Sequence, residues 1–426
     1  MLIQRFYKGW IDFLLFLGIK SWGTLDWIAT AYRCATRRIQ RVIVITGSLG
    51  KTTTTRAAMA VMHGVAPRYL HAGQNCFGFV GLNLMRQGPF SPYAIVEVGI
   101  GTPGQMAPYA SVLRPDTIIM TAIASDHLTR FKDFEQLWNE KAAIVRSLGP
   151  HELAILNGDD AEVMKMASQT QARVITFGLS ESCDVAARII ECNPNGTRFN
   201  LRIQQDSVIV HSRLIGREAV RALVAAATLG WAEGVGIDKI HQRLEWLTPT
   251  PGRMQPIPLI NGAVAIVDSF KAGIETIYAA INSFAEIKAS RRIIVLGSIY
   301  QPLAPITQSY ADVARYAAGV ADRMILIGPS SQYYLSGLKD LNLKTLVEDF
   351  PTVAAVAKSL KNELRSGDVV LIKGRGEEKL ERIALELSGR KVRCQIPFCE
   401  LENILCQECP CLGIPARASM EKDLSP

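Results

Sequence analysis

The sequence predicts an α/β protein built from two successive parallel-sheet domains, and three observations carry that expectation. Short apolar strands alternate with stretches of helical period from residue 41 onward. The chain has 426 residues, enough for two or three domains. A Pro-rich run, T-P-T-P-G-R at Thr248–Arg253, reads as a hinge between two such series.

The first series opens with Val42–Ile45, four β-branched residues that read as a short buried strand. T-G-S-L-G-K-T follows, at Thr46–Thr52. Gly47 and Gly50 let the backbone turn tightly and aim its N–H groups inward. The Thr-rich run after them opens a helix, whose N-terminus favours negative charge. An ordinary strand–turn–helix corner has no need of the Lys-Thr pair. The loop therefore reads as a phosphate cradle, a P-loop, with Thr46, Gly47, Ser48, Leu49, Gly50, Lys51, Thr52 and Thr53 as its ATP-binding residues. Lys51 would reach the terminal phosphates, and the Thr52 hydroxyl would bind Mg²⁺. The general pattern G-x-x-x-x-G-K-[ST] calls for glycine at position 45. Ile45 stands there, so this loop is a shortened variety.

Further strands are expected at Ala94–Val98, Thr117–Ala122, Leu153–Leu156 and Val174–Phe177, with helices at Glu135–Val145 and Asp160–Ala167. A more antiparallel patch covers Val185–Cys192, Arg198–Ile203 and Ser207–Ser212, and an Ala-rich helix covers Arg217–Glu233. After the hinge, strands Val264–Asp268, Arg291–Gly297, Arg323–Ile327 and Asp368–Lys373 alternate with helices such as Ile274–Phe284 and Tyr310–Gly319. Four segments result: 1–40, 41–247, 248–390 and 391–426.

Charge narrows the partners. The net charge is +8, and residues 1–41 contribute +5 of it, seven basic residues against Asp12 and Asp26. The remaining body is nearly balanced, which argues against a nucleic-acid groove. Segment 1–40 is instead basic, Trp-rich and amphipathic: Trp10, Phe13, Leu14, Phe16, Leu17, Trp22, Trp27 and Ile28 crowd within it. Its longest apolar run, Phe13–Ile19, falls far short of the roughly 20 residues that span a bilayer. Two readings stand: a helix lying on a membrane surface, or one packed on this protein or a partner subunit. With no secretion signal, the expected location is cytoplasmic, with peripheral membrane attachment compatible. Five of nine cysteines fall at the end, Cys394, Cys399, Cys406, Cys409 and Cys411. Cys394, Cys399, Cys406 and Cys409 make a candidate four-thiolate site for Zn²⁺ or an Fe–S cluster, against loose reduced thiols on a frayed tail.

Downstream carboxylates and amines say more about the loop. Glu97 ends a hydrophobic strand in V-E-V-G, where a carboxylate faces the crevice at the strands' carboxyl ends. His127 follows the next strand in D-H-L-T-R-F, Lys141 lies 14 residues later in N-E-K-A-A-I, and L-N-G-D-D at Leu156–Asp160 ends a third strand. With P-G-R at Pro251–Arg253, D-S-F-K-A at Asp268–Ala272, V-L-G at Val295–Gly297 and G-D-V-V-L-I-K-G-R at Gly367–Arg375, these motifs run in one order. In this the chain resembles the Mur ligase family, ATP-dependent amide ligases of cell-wall peptide synthesis, over roughly residues 41–390, with its flavour nearest the MurF type.

The resemblance implies a P-loop central ATPase domain with a parallel sheet, followed by a C-terminal Rossmann-like α/β domain. It implies ATP phosphorylating a substrate carboxylate and an amine attacking the acyl phosphate. Lys51, His127, Lys141 and Arg253 would be catalytic. Thr52, Glu97, His127 and Lys141 would hold Mg²⁺, with Lys141 carbamylated by CO₂ so that it carries an anionic oxygen. Arg253 would reach the γ-phosphate, Asp268 the ribose and Lys271 a phosphate. Lys373 and Arg375 would bind the incoming substrate's carboxylate or be surface charges. Partners would be a small-molecule or peptide carboxylate and an amine. The alternatives are an ATP-binding regulatory or partner subunit, and a small-molecule kinase.

The chain also departs from the pattern. The family's UDP-sugar-binding domain has no room in the forty residues before the loop, which implies a carboxylate other than the usual UDP-muramyl peptide. The helix start G-R-E-A-V-R at Gly216–Arg221 places Glu218 and Arg221 where the family has amides near adenine.

Overall fold

The computed structural model describes residues 22–65, 75–76, 78–125, 128–303, 305–339, 344–401 and 404–415. The chain divides into two compact units. The first takes in the described parts of Met1–Glu191, with Arg198–Ser212 and Arg217–Leu247; the second takes in Cys192–Thr197, Arg213–Gly216 and the described residues from Thr248 on.

In the first unit the described residues form an eight-stranded sheet of order β2-β1-β3-β4-β5-β6-β7-β8. Its strands are β1 Arg41–Thr46, β2 Tyr93–Glu97, β3 Thr117–Met120, β4 Leu153–Asn157, β5 Arg173–Gly178, β6 Val185–Asn193, β7 Gly196–Ile203 and β8 Asp206–Ser212. Strands β1 to β6 pair in parallel. β6, β7 and β8 follow one another through two-residue turns, a connection only antiparallel neighbours permit. β1 is buried from Val42 to Thr46, as β-branched residues covered on both faces should be. The chain runs from β1 to β2 on one side and returns to β3 on the other. β1 therefore borders the switch point where α/β sheets open a crevice beyond their carboxyl ends.

Helix Trp22–Thr36 packs on this unit. Its Arg33 is fully buried and donates to the carbonyls of Leu113 (2.9 Å), Arg114 (2.8 Å) and Gln40 (3.0 Å) and to Asp116 (2.7 Å). Asp116 also accepts the amide of Val42 at 2.7 Å, so one carboxylate ties the helix to β1. For these residues, packing on the protein's own core is what the structure shows, although Trp27 and Ile28 on the same helix remain exposed. The rest of the basic segment, residues 1–21, lies outside the described residues.

The second sheet has six strands in the order β13-β12-β11-β14-β10-β9. They are β9 Gln255–Pro258, β10 Val264–Asp268, β11 Arg291–Leu296, β12 Arg323–Ile327, β13 Leu346–Phe350 and β14 Asp368–Lys373. All pair in parallel except β9. Alternate residues serve opposite faces. Ile266, Ile294, Leu296 and Leu371 pack against helices Ile274–Ala285 and Ile306–Ala318. Val267, Ile293, Val295 and Ile372 pack against helices Val353–Glu363 and Glu381–Leu387.

Candidate active site

The P-loop is built by close backbone approach. Gly47 and Gly50 take φ of 138° and 78°, values that glycine adopts without strain. A Cβ on Gly47 would collide with the Thr121 hydroxyl just past β3. That hydroxyl donates to Leu49 O at 2.6 Å, and the Ser48 amide donates to Ala122 O at 2.7 Å. Ser48 Oγ donates to Ala124 O and accepts the Ala124 amide at 2.8 Å. Helix Lys51–His63 starts at Gly50 with no side-chain cap and no acidic residue in its first turn, so its N–H groups suit an anion. Lys51 is buried and lies over the loop, its Nζ 2.6 Å from Gly47 O.

Three expected side chains converge here. Thr52 Oγ1 lies 3.3 Å from Glu97 Oε1 at the end of β2. Two hard oxygens this close fit a site for Mg²⁺. Lys141, on helix Phe134–Arg146, is 3% exposed and reaches Ser48 Oγ at 2.5 Å. His127 lies outside the described residues. Sequence reasoning missed Asn75, whose Nδ2 donates to Glu97 Oε1 at 2.8 Å and whose carbonyl accepts the Gly99 amide at 2.7 Å. The only sequence signal was indirect: V-E-V-G puts Gly99 where any side chain would crowd Asn75.

The L-N-G-D-D motif supports the crevice. Asn157 donates to Thr121 O at 2.7 Å, and Asp160 accepts the Ile123 amide at 2.8 Å while capping helix Ala161–Met164. Asp159 accepts Arg221 Nε at 2.9 Å and the amides of Leu179 and Ser180. Burial alone would raise the Asp159 pKa, but these partners outweigh it and hold the carboxyl below its ordinary value. Arg221 also bonds Glu218 at 2.5 Å. Glu218 and Arg221 thus form an ion network on their own unit.

The second unit presents a different edge. Asp268 ends β10 and accepts Lys373 Nζ at 2.6 Å and the Met254 amide at 3.1 Å. Lys373 is 1% exposed and also donates to Lys271 O at 2.5 Å, so it is neither a surface charge nor a free carboxylate binder. Burial lowers its pKa despite Asp268, and Arg253 adds to that lowering. The Lys271 side chain is exposed, and the Arg253 guanidinium lies 4.8 Å over the Phe270 ring. Arg375, just past β14, stacks near Tyr300 and Phe398 and bonds Glu377 at 2.6 Å.

Comparison with known proteins fits this layout. The Mur ligase middle domain profile matches residues 45–230, and the Mur ligase glutamate ligase domain profile matches residues 252–376. The chain belongs to the Mur ligase family. It is 28% identical over 359 residues to the Escherichia coli UDP-N-acetylmuramoyl-tripeptide--D-alanyl-D-alanine ligase, covering 82% of this chain and 77% of that ligase. It is 26% identical over 382 residues to a Geobacter metallireducens UDP-N-acetylmuramoyl-L-alanyl-D-glutamate--2,6-diaminopimelate ligase, covering 80% and 75%. In fold it is similar to MurF from Acinetobacter baumannii, with a TM-score of 0.75 at 23% identity over 86% of this chain and 80% of that one. MurF from Thermotoga maritima, solved with ADP, gives 0.72 at 19% identity over 86% and 83%. These Mur ligase homologues are ATP-dependent, ADP-forming amide ligases.

The tail of this Mur ligase bears on one expectation, a Zn²⁺ or Fe–S site. Among the described residues no three His, Cys, Asp or Glu side chains come together to hold a metal. Cys409 lies within electrostatic reach of Cys394, Cys399 and Cys411, so these thiols share one region of the tail without closing to metal-binding distance. Cys406 is committed elsewhere: it is buried with Leu385 and Leu412, its amide donates to Glu381, and burial pushes its thiol far above the usual range. Nor does the tail fray, since its described residues pack on the second unit.

Proposed function

We propose that this Mur ligase joins a peptide or small-molecule carboxylate to an amine, using ATP and releasing ADP and phosphate. The observation that carries the reading is the convergence of Lys51, Thr52, Glu97 and Lys141 on one P-loop. A kinase or regulatory ATPase needs the first two. It has no need of a buried second lysine beside the loop.

Lys51 and the loop amides would bind the phosphates, worth most in a dry, preorganised site. Thr52 and Glu97 would hold Mg²⁺, which when bound neutralises charge on the phosphates. Asn75 fixes the Glu97 carboxylate by its 2.8 Å hydrogen bond. Lys141 would react with CO₂ through its neutral amine, forming an N–C bond and releasing one proton. The resulting carbamate supplies the oxygen donor that an ammonium lacks. His127 would join this set. From the second unit, Arg253 and Lys271 would address phosphate, and Arg375 would take the carboxylate of the incoming amine. Lys373 orients Asp268, the expected ribose contact.

The test is phosphate release from ATP with Mg²⁺, bicarbonate and panels of carboxylates and amines. The carboxylate panel includes UDP-N-acetylmuramoyl-tripeptide, and the amine panel includes D-alanyl-D-alanine and the common amino acids. A ligase releases phosphate only when both partners are present. Release with the carboxylate alone and a stable phosphorylated product would mean a kinase. Tight ATP binding with no release from any pair would mean a regulatory protein.

A further inference from the structure

The C-terminal tail lies beyond the family match, which ends at residue 376, yet it is wired into the loop that carries Arg375. Two cations after that loop, Lys379 and Arg382, are each 2% exposed. Burying a charge is expensive unless polar groups replace its water. Here tail carbonyls do so. Lys379 Nζ donates to Leu401 O at 2.8 Å and Ile404 O at 2.9 Å. Arg382 donates to Cys394 O at 2.9 Å and Ile396 O at 2.7 Å. The Cys399 amide closes the loop by donating to Glu377 O at 2.8 Å.

This docking sets Phe398 beside Arg375. The guanidinium carbon lies 5.8 Å from the Phe398 ring centre and 5.5 Å from that of Tyr300, within cation–π reach of both. Arg375 Nη2 is taken by Glu377, but its Nε is buried with no acceptor. A buried donor of that kind is costly unless a ligand satisfies it. With Nη2 held by Glu377, one carboxylate oxygen suffices for Nε, in a charge-assisted bond stronger than one to a neutral acceptor. The loop's backbone is fixed as well. Glu378 accepts the Arg375 amide at 2.8 Å and the Ser298 hydroxyl at 2.6 Å, bridging the ends of β14 and β11.

We propose that the tail completes the acceptor subsite of the second unit. Phe398, with Tyr300, is a positioning residue that holds Arg375 for the carboxylate of an amino-acid or short-peptide amine. This rests on the ligase reading above and adds a role for a segment outside the family match.

The test uses the full chain and two readouts. In the phosphate-release assay with the amine panel, Phe398→Ala raises KM for the amine roughly 3- to 30-fold, the range of one cation–π contact. KM for ATP stays unchanged, and Phe398→Tyr restores the wild-type value. An unchanged amine KM, or equal rises for amine and ATP, overturns the proposal. The second readout needs no substrate: phenylglyoxal labelling of Arg375, followed by peptide mass spectrometry. Labelling should be faster in Phe398→Ala than in wild type, and an equal rate also overturns the proposal. If wild type releases no phosphate with any pair, the ligase reading itself fails. Labelling then still shows whether the tail controls Arg375, though not for an amine substrate.

Discussion

Two loops leave the carboxyl ends of central parallel strands in this molecule, and they are held in different ways. Gly47–Lys51 follows β1 and is shaped by its own glycines, with Thr121 and the Ala124 amide pinning it from beyond the end of β3. Gly374–Glu378 follows β14 and is held by a buried carboxylate, Glu378, and by a tail more than 15 residues further on. The first presents backbone N–H groups, so its chemistry is written in one short run, two glycines and a Lys-Thr pair. The second presents a guanidinium framed by side chains from distant segments. A phosphate cradle can be local, whereas recognition of a variable substrate is assembled from whatever the fold brings near.

The largest expected effect lies at the first loop. Lys51→Ala should lower the rate of ATP-dependent phosphate release by about 10²–10³-fold, the scale of losing one preorganised electrostatic group. Circular dichroism should show the fold kept. Lys141→Ala should fall similarly, and wild-type activity should depend on bicarbonate. A fully active Lys141→Ala protein would remove the carbamate from the account.

Next comes the support of the second edge. Lys373→Met leaves Asp268 buried without its cation and should cost about 3–5 kcal/mol of the second unit's stability in urea unfolding. Adding Asp268→Leu should recover much of it. If the single variant is as stable as wild type, the pair is not what holds β10 to β14.

The smallest effects are in pH dependence, where the two units should behave in opposite ways. Asp159 is depressed below its ordinary 3.8, so its stabilisation is present above that value and lost as pH falls through the folded-state pKa. Burial raises Glu378 above its ordinary 4.5 despite its hydrogen bonds from Ser298 and Arg375. Its contribution is therefore full below 4.5 and lost as pH rises through the raised value. Asp159→Asn should flatten the acid limb of unfolding, and Glu378→Gln the limb above pH 4.5, each by about 1–3 kcal/mol. Matching slopes in wild type and variant would show that these carboxylates are not the titrating groups.

How much of this was legible follows from the same contrast. The strands Val264–Asp268, Arg323–Ile327 and Asp368–Lys373 were readable to the residue, because each is a buried apolar run. β9 was missed because it is Q-P-I-P, an edge strand with two prolines. β13 was missed because Leu346–Phe350 is half exposed and carries Glu348 and Asp349. The expected helix Asp160–Ala167 is shorter: Asp160 caps one turn, and Lys165–Gln169 tightens to a 3₁₀ turn. The phosphate loop was legible as a motif. Asn75 was not, because a lone asparagine outside any periodic element gives no signal until Glu97 is seen beside it. Lys373 was open to two readings, carboxylate binder or surface charge, because burial cannot be read from the chain alone, and nothing in the tail's sequence marks Phe398 as a neighbour of Arg375.

The central claim is that ATP phosphorylates a carboxylate before the amine attacks. It is tested most directly with a carboxylate substrate carrying ¹⁸O in both carboxyl oxygens, given with ATP, Mg²⁺, bicarbonate and the amine. The released phosphate is then weighed by mass spectrometry. The account predicts one ¹⁸O atom in each phosphate formed. Phosphate released at the same rate without label would mean that the carboxylate is never phosphorylated, and would contradict it.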